Sequence, residues 1–191
     1  MLTILGSLLV LGAPSPGLAV PPHPCITMNT KQLPLATRKS PLDSVSFAVS
    51  GAEVRVCYGR PSLRGRKMLG ADPVPFGQIW RTGANEPTMI HTTGPITLAG
   101  IKLPAGSYSL YTVPGPKEWD VIVNRSITQW GEESNYTDAV KAQEVGRAKV
   151  RAEGLSGPVE LFTIRADPAS GETRALVLEW DRTRVRIPVS K

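Results

Sequence analysis

Within seven residues, Trp80-Arg81-Thr82-Gly83-Ala84-Asn85-Glu86 gathers a stacking surface, a forked cation, a hydroxyl, an amide and a carboxylate. Such a set can grip a polar ligand. Arg81 would fork onto a carboxylate or phosphate, Asn85 would read donors and acceptors, Glu86 would accept from hydroxyls, and Trp80 would stack on a sugar face. Arg60, at the end of an earlier strand, is the natural companion. The competing reading is an internal polar corner, in which Arg60 or Arg81 pairs with Glu86, Asn85 satisfies turn amides and Trp80 fills the core. Burial separates the two: side chains that are enclosed and bonded to one another hold a loop, whereas exposed ones hold a ligand.

Catalysis finds fewer candidates. His91 is the one histidine expected inside the folded domain, and alternation in Met89-Ile90-His91-Thr92-Thr93 places it with Met89. It therefore reads as a packed or surface strand histidine rather than a general base. Neither a Gly-x-Ser-x-Gly elbow nor a phosphate-binding Gly-x-x-x-x-Gly-Lys loop is present. A two-carboxylate glycosidase site, Glu86 with Asp120 or Glu118, stays open, because carboxylate separation decides it and sequence does not show separation. His23, His91, Cys25 and Cys57 are too few for one copy to build a zinc finger or a three-histidine zinc site, although oxygen ligands for a hard cation remain. No cofactor is expected.

The elements that must position these residues read as strands. Val45, Phe47 and Val49 share a face, Ser50-Gly51 turns the chain, and Val54, Val56 and Tyr58 share a face of the returning strand, opposite Glu53, Arg55 and Cys57. Gly59 to Pro75 is a long connection rich in Gly, Pro and Arg. Gln78–Thr82 and Thr88–Thr92 read as two short strands around a corner, and Ile96, Leu98, Ile101 and Leu103 as a compact turn pair. Ser107 to Val113 is apolar on both faces, with Tyr108 on one and Tyr111 on the other, as a central strand would be; Trp119, Val121 and Val123 mark its antiparallel partner. Thr137-Asp138 caps the one plausible short helix. Strand character returns at 148–152, 159–165, 175–180 and 184–189. The predicted fold is all-β: a single antiparallel sandwich or barrel of roughly nine to ten strands, without a βαβ rhythm.

Of the 191 residues, the first 19 resemble an export signal: an apolar run from Met1 to Leu11, helix-breaking Pro14 and Pro16, then Gly17 and Ala19 as a small-x-small site. No Lys or Arg precedes the run. Residues 20–39 read as an extended Pro-rich lead-in, and 40–191 as one β domain. Export would permit a Cys25–Cys57 bridge, with two free thiols as the other option. Twenty-two Lys and Arg against 16 Asp and Glu leave +6, with one local basic cluster at Arg60, Arg64, Arg66 and Lys67. Basic and aromatic residues do not interleave, so nucleic acid is not an expected partner. No segment is long and apolar enough for a membrane-spanning helix.

Four strings carry a family resemblance: Val56-Cys57-Tyr58-Gly59-Arg60-Pro61-Ser62, Gly77 to Glu86, Leu103 to Leu110, and Glu118 to Asn124. In this order and separation they resemble the bacterial family of unknown function DUF2911, over about Ser40 to Val189. The resemblance implies an exported, mostly β protein and brings no substrate with it. Cys57, where a nonpolar or acidic residue is expected, and Gly146, in a stretch that is usually a firmer strand, depart from the pattern. Three functions compete. The first is noncatalytic binding of a small polar ligand, glycan or protein partner near Arg60, Trp80, Arg81, Asn85 and Glu86. The second is a paired-carboxylate hydrolase, and the third a structural envelope module with its polar corner sealed.

Overall fold

The structure, a computed structural model, describes residues 23–168 and 173–191. The export signal and its cleavage point lie outside the described residues. Among the described residues nine strands form one antiparallel sheet: β1 Leu42–Val49, β2 Ala52–Gly59, β3 Thr88–Thr92, β4 Ile96–Leu98, β5 Ile101–Leu103, β6 Gly106–Val113, β7 Glu118–Asn124, β8 Glu144–Ala166 and β9 Arg174–Ser190. Their order is β1-β2-β3-β6-β7-β8-β9-β4-β5, and the sheet does not close into a barrel. The helix α1 spans only Asp138–Lys141, with the Thr137 hydroxyl accepting from the Val140 N–H.

β8 belongs to both halves of the sheet. Glu144 to Arg151 pair with β7, and Ala152 to Ala166 pair with β9, the register shifting near Gly154 and Val159. The stretches 148–152 and 159–165, expected as two strands, are therefore one strand that bends. Likewise 175–180 and 184–189 are one strand, β9, kinked at Asp181, whose φ is +51° and whose ladder partner is Val159. A bulge absorbs the extra residues without ending the ladder, which is why turn-like residues there do not turn the chain. Gln78–Thr82 is not a strand either; only Trp80 bridges, to Thr112 of β6.

The bend lays the β8–β9 limb over the β1–β2 end. Inward side chains of one limb, among them Val54, Val56, Tyr58, Ile90, Leu110 and Val121, meet Phe162, Ile164, Leu176, Leu178 and Val185 of the other in one apolar core. Each such fully buried side chain contributes roughly 1.5–3 kcal/mol. Tyr58 ties the limbs polarly as well: its hydroxyl accepts from the Ile164 N–H at 3.0 Å, and burial pushes its pKa up to about 12. Gly146, the departure noted above, faces Ile101, and a Cβ there would sit 3.2 Å from Cγ2.

The opposite face of β2-β3-β6-β7 is also enclosed. Cys57, Met89, His91, Tyr111, Ile122 and Asn124 point that way and are all buried. Two segments cover them. Residues 125–143 lie over Tyr111 and Asn124, with Gln129 donating to the Tyr111 hydroxyl at 2.9 Å and Asn124 to the Val140 carbonyl at 2.7 Å. Residues 23–38 have the strand-free backbone expected of a lead-in, with a single 3-10 turn at Leu35–Thr37, yet they are fastened to the sheet at both ends. Cys25 is disulfide-bonded to Cys57, and Arg38 is buried against Glu86.

Candidate functional site

The corner named from the sequence is largely consumed by the fold. Trp80 is buried: its ring stacks on Trp180 at 5.6 Å, meets Trp119 and Phe162 edge-on, and donates through Nε1 to the Gly83 carbonyl at 3.1 Å. The Glu86 carboxylate is enclosed and accepts three hydrogen bonds, from the Met28 N–H at 2.6 Å and from Arg38 Nη1 and Nη2 at 2.7 and 3.0 Å. Its partner is thus Arg38, not Arg60 or Arg81. Asn85, held at φ +66°, donates to the Ser40 carbonyl at 2.9 Å. All three side chains fix the 81–87 loop and the strap that crosses it.

Arg60 and Arg81 keep partial exposure and go elsewhere. Arg60 donates to the Phe162 carbonyl and the Thr163 hydroxyl of β8 and sits 3.4 Å from Asp43. Arg81 lies 3.8 Å from Glu133, its Nε without a hydrogen-bond partner among the described residues, beside a cavity of about 90 Å³ that Trp80 also lines. Glu118 and Asp120, the other acids of the hydrolytic reading, both pair with Lys149. Among the described residues no group of three or more His, Cys, Asp and Glu comes together to hold a metal, and no helix is long and apolar enough to cross a membrane.

A second polar site lies on the outer face. The register aligns Ser46 with Arg55, Arg55 with His91, and His91 with Ser107, a polar row across β1, β2, β3 and β6. These residues line a cavity of about 240 Å³ together with His23, Glu53, Val54, Thr92, Thr93 and Gly106. His91 Nδ1 shares a hydrogen bond with Ser107 Oγ at 2.7 Å, and the ring stacks on His23 at 4.6 Å. Its Nε2 is buried without a partner among the described residues, as is Arg55 Nε, while Arg55 Nη2 donates to Ser44. Burial, then the neighbouring His23 and Arg55, hold the His91 pKa down at about 4. The imidazole is neutral at pH 7. A neutral base beside a serine is half of a nucleophilic pair; among the described residues no third group hydrogen-bonds Nε2 to orient the ring.

The family model for proteins of unknown function DUF2911 matches residues 40–189. The chain belongs to the DUF2911 family. No curated protein and no solved structure matches it. Two of the strings that carry the DUF2911 resemblance touch in space. A Cβ on Gly59 would fall 1.9 Å from the Ala84 carbonyl oxygen, so the end of β2 and the Gly83-Ala84 turn pack backbone to backbone. In this DUF2911 chain the motif-rich corner is therefore a junction of backbone segments. Arg38 escaped the sequence reading because it stands 48 residues from Glu86 in a stretch without periodicity. The outer cavity was missed for another reason. Alternation correctly put Arg55 and Cys57 on one face, but a polar strand face carries no sign that another segment will cover it.

Proposed function

We propose that this protein is an exported, noncatalytic binding module whose outer-face cavity takes a small anionic ligand bearing a carboxylate. One observation carries the reading: Arg55 and His91, aligned across β2 and β3, line one cavity, and each keeps a buried side-chain nitrogen, Nε and Nε2, without a hydrogen-bond partner among the described residues. A buried polar nitrogen left without a partner costs roughly 1–3 kcal/mol, which a ligand acceptor would recover. If the Ser107 hydroxyl donates to Nδ1, the neutral ring carries its proton on Nε2 and presents a donor beside the Arg55 cation. A carboxylate matches two such donors. The cavity is below the roughly 300–1,000 Å³ of drug-sized sites, which favours a short ligand such as a small organic acid or amino acid.

Export is supported by the signal-like first 19 residues and by the Cys25–Cys57 bridge, which suits an oxidising compartment such as a periplasm, an envelope or the extracellular space. The paired-carboxylate reading has less support, because Glu86 is saturated by Arg38 and Met28. The test is a thermal-shift titration with acetate, succinate, glutamate and phosphate, on the protein and on Arg55→Gln and His91→Gln. Saturating ligand, at about 100 times Kd, stabilises by about 2.7 kcal/mol. A melting temperature unmoved by every carboxylate, or moved equally in both variants, rejects the site.

A further inference from the structure

The basic cluster between β2 and β3 has no part in the cavity described above. It sits on two adjoining grooves that share Arg66. One, of about 490 Å³, is lined by Lys39, Ser40, Pro61, Ser62 and Arg64; the other, of about 580 Å³, includes Lys67, Phe76, Glu160, Asp181 and Arg182. On β8 and β9, by contrast, the half-buried Arg165, Arg184 and Arg186 pair with Asp167, Glu179 and Glu153. Around the grooves Lys39, Arg64, Arg66, Lys67 and Arg182 are exposed, and none makes an ion pair among the described residues. Their guanidinium contacts are to neutral oxygens only: Ser62 Oγ and the carbonyls of Lys39, Leu63, Ser62 and Ser156. The loop is held rather than loose, since Arg64 and Gly65 take left-handed φ values of +51° and +74° and the Arg64 N–H donates to Glu160.

We infer that these joined grooves bind an anionic polysaccharide. The cations along both walls would take up carboxylate groups repeated along a chain. Phe76, 42% exposed at the groove, offers an aromatic face for the C–H side of a sugar ring. Glu160, Asp181 and Thr183 line the same groove and supply acceptors. Sugar hydroxyls can donate to them, whereas the phosphodiesters of a nucleic acid have no donor to offer at those positions. Concavity argues against a flat anionic bilayer, which would meet the rims and leave the floor empty.

Affinity electrophoresis of the full protein through gels containing polygalacturonate, neutral dextran or no polymer tests this, alongside binding to duplex DNA and to phosphatidylglycerol vesicles. Polygalacturonate should retard the protein, dextran should not, and retardation should fade with added salt. The triple variant Arg64→Ala, Arg66→Ala, Lys67→Ala should weaken binding about tenfold or more. Arg182→Ala, on the facing wall, should weaken it without touching the loop, which guards against a folding artefact. Arg55→Gln should bind polygalacturonate normally, so failure here is distinct from failure of the small-ligand site. Equal binding by the triple variant and Arg182→Ala, equal retardation by dextran, or tighter binding to DNA or vesicles than to polygalacturonate overturns the inference.

Discussion

Replacing Glu86 by alanine strips the acceptor from three donors at once: Arg38 Nη1 at 2.7 Å, Arg38 Nη2 at 3.0 Å and the Met28 N–H at 2.6 Å. The Arg38 side chain is 0% exposed, so its charge is left inside with only the carbonyls of Leu33 and Met28 as acceptors. Breaking a buried pair from one side costs about 3–5 kcal/mol, a large part of the roughly 5–15 kcal/mol that holds an ordinary domain together. Arg38→Ala, which strands the carboxylate instead, should cost a similar amount. The double variant should cost clearly less than the two single losses combined, because no uncompensated charge then remains. Urea unfolding at pH 7 of the four proteins measures this. Had the corner been a ligand site, Glu86→Ala would leave stability nearly intact. A loss below about 1 kcal/mol, or single losses that simply add, would refute the structural assignment of this pair.

Two further outcomes follow from the outer face. His91 releases its proton near 4 in the folded protein against 6.5 when unfolded, so between those values the unfolded chain binds more protons and stability must fall as pH drops. The loss develops from about pH 6.5 down to pH 4 and approaches roughly 3 kcal/mol. His91→Gln should flatten that part of a urea-midpoint profile, and an unchanged slope would show that another group sets it. Cys25 and Cys57 are 32 residues apart, and in the chain-entropy account their bridge stabilises by roughly 3–4 kcal/mol. Cys25→Ser with Cys57→Ser should lower the melting temperature and expose Met89 and His91 to faster amide exchange; exchange that stays protected would mean the strap holds without its bond.

Period-two patterning made the β1–β2 and β6–β7 hairpins legible, along with the burial of both faces of β6 and the Thr137-capped turn of α1. These depend on neighbours a few residues apart. Continuity in β8 and β9 was not legible, because Ser156-Gly157-Pro158 and Asp181 look like chain breakers and only the partner strand shows that the ladder resumes beyond them. At the corner, the side-chain types of Trp80, Asn85 and Glu86 were read correctly as a polar set around an aromatic. The internal-corner reading had Trp80 filling the core, as it does against Trp180, but the partner of Glu86 is Arg38 in the N-terminal strap, which nothing near Glu86 in sequence signals. Residue type restricts what a side chain can hold; the tertiary fold selects what it does hold.

Because β8 runs unbroken from the β7 ladder into the β9 ladder, each limb of the sheet owns one end of the same rod. A thermal fluctuation that frees β9 pulls on a strand still zipped to β7, so loosening of one ladder is felt in the other. The stretch of β8 between Gly154 and Val159, where the register with β9 shifts, is where the two ladders can flex against each other, and fraying starts at the free edges β1 and β5.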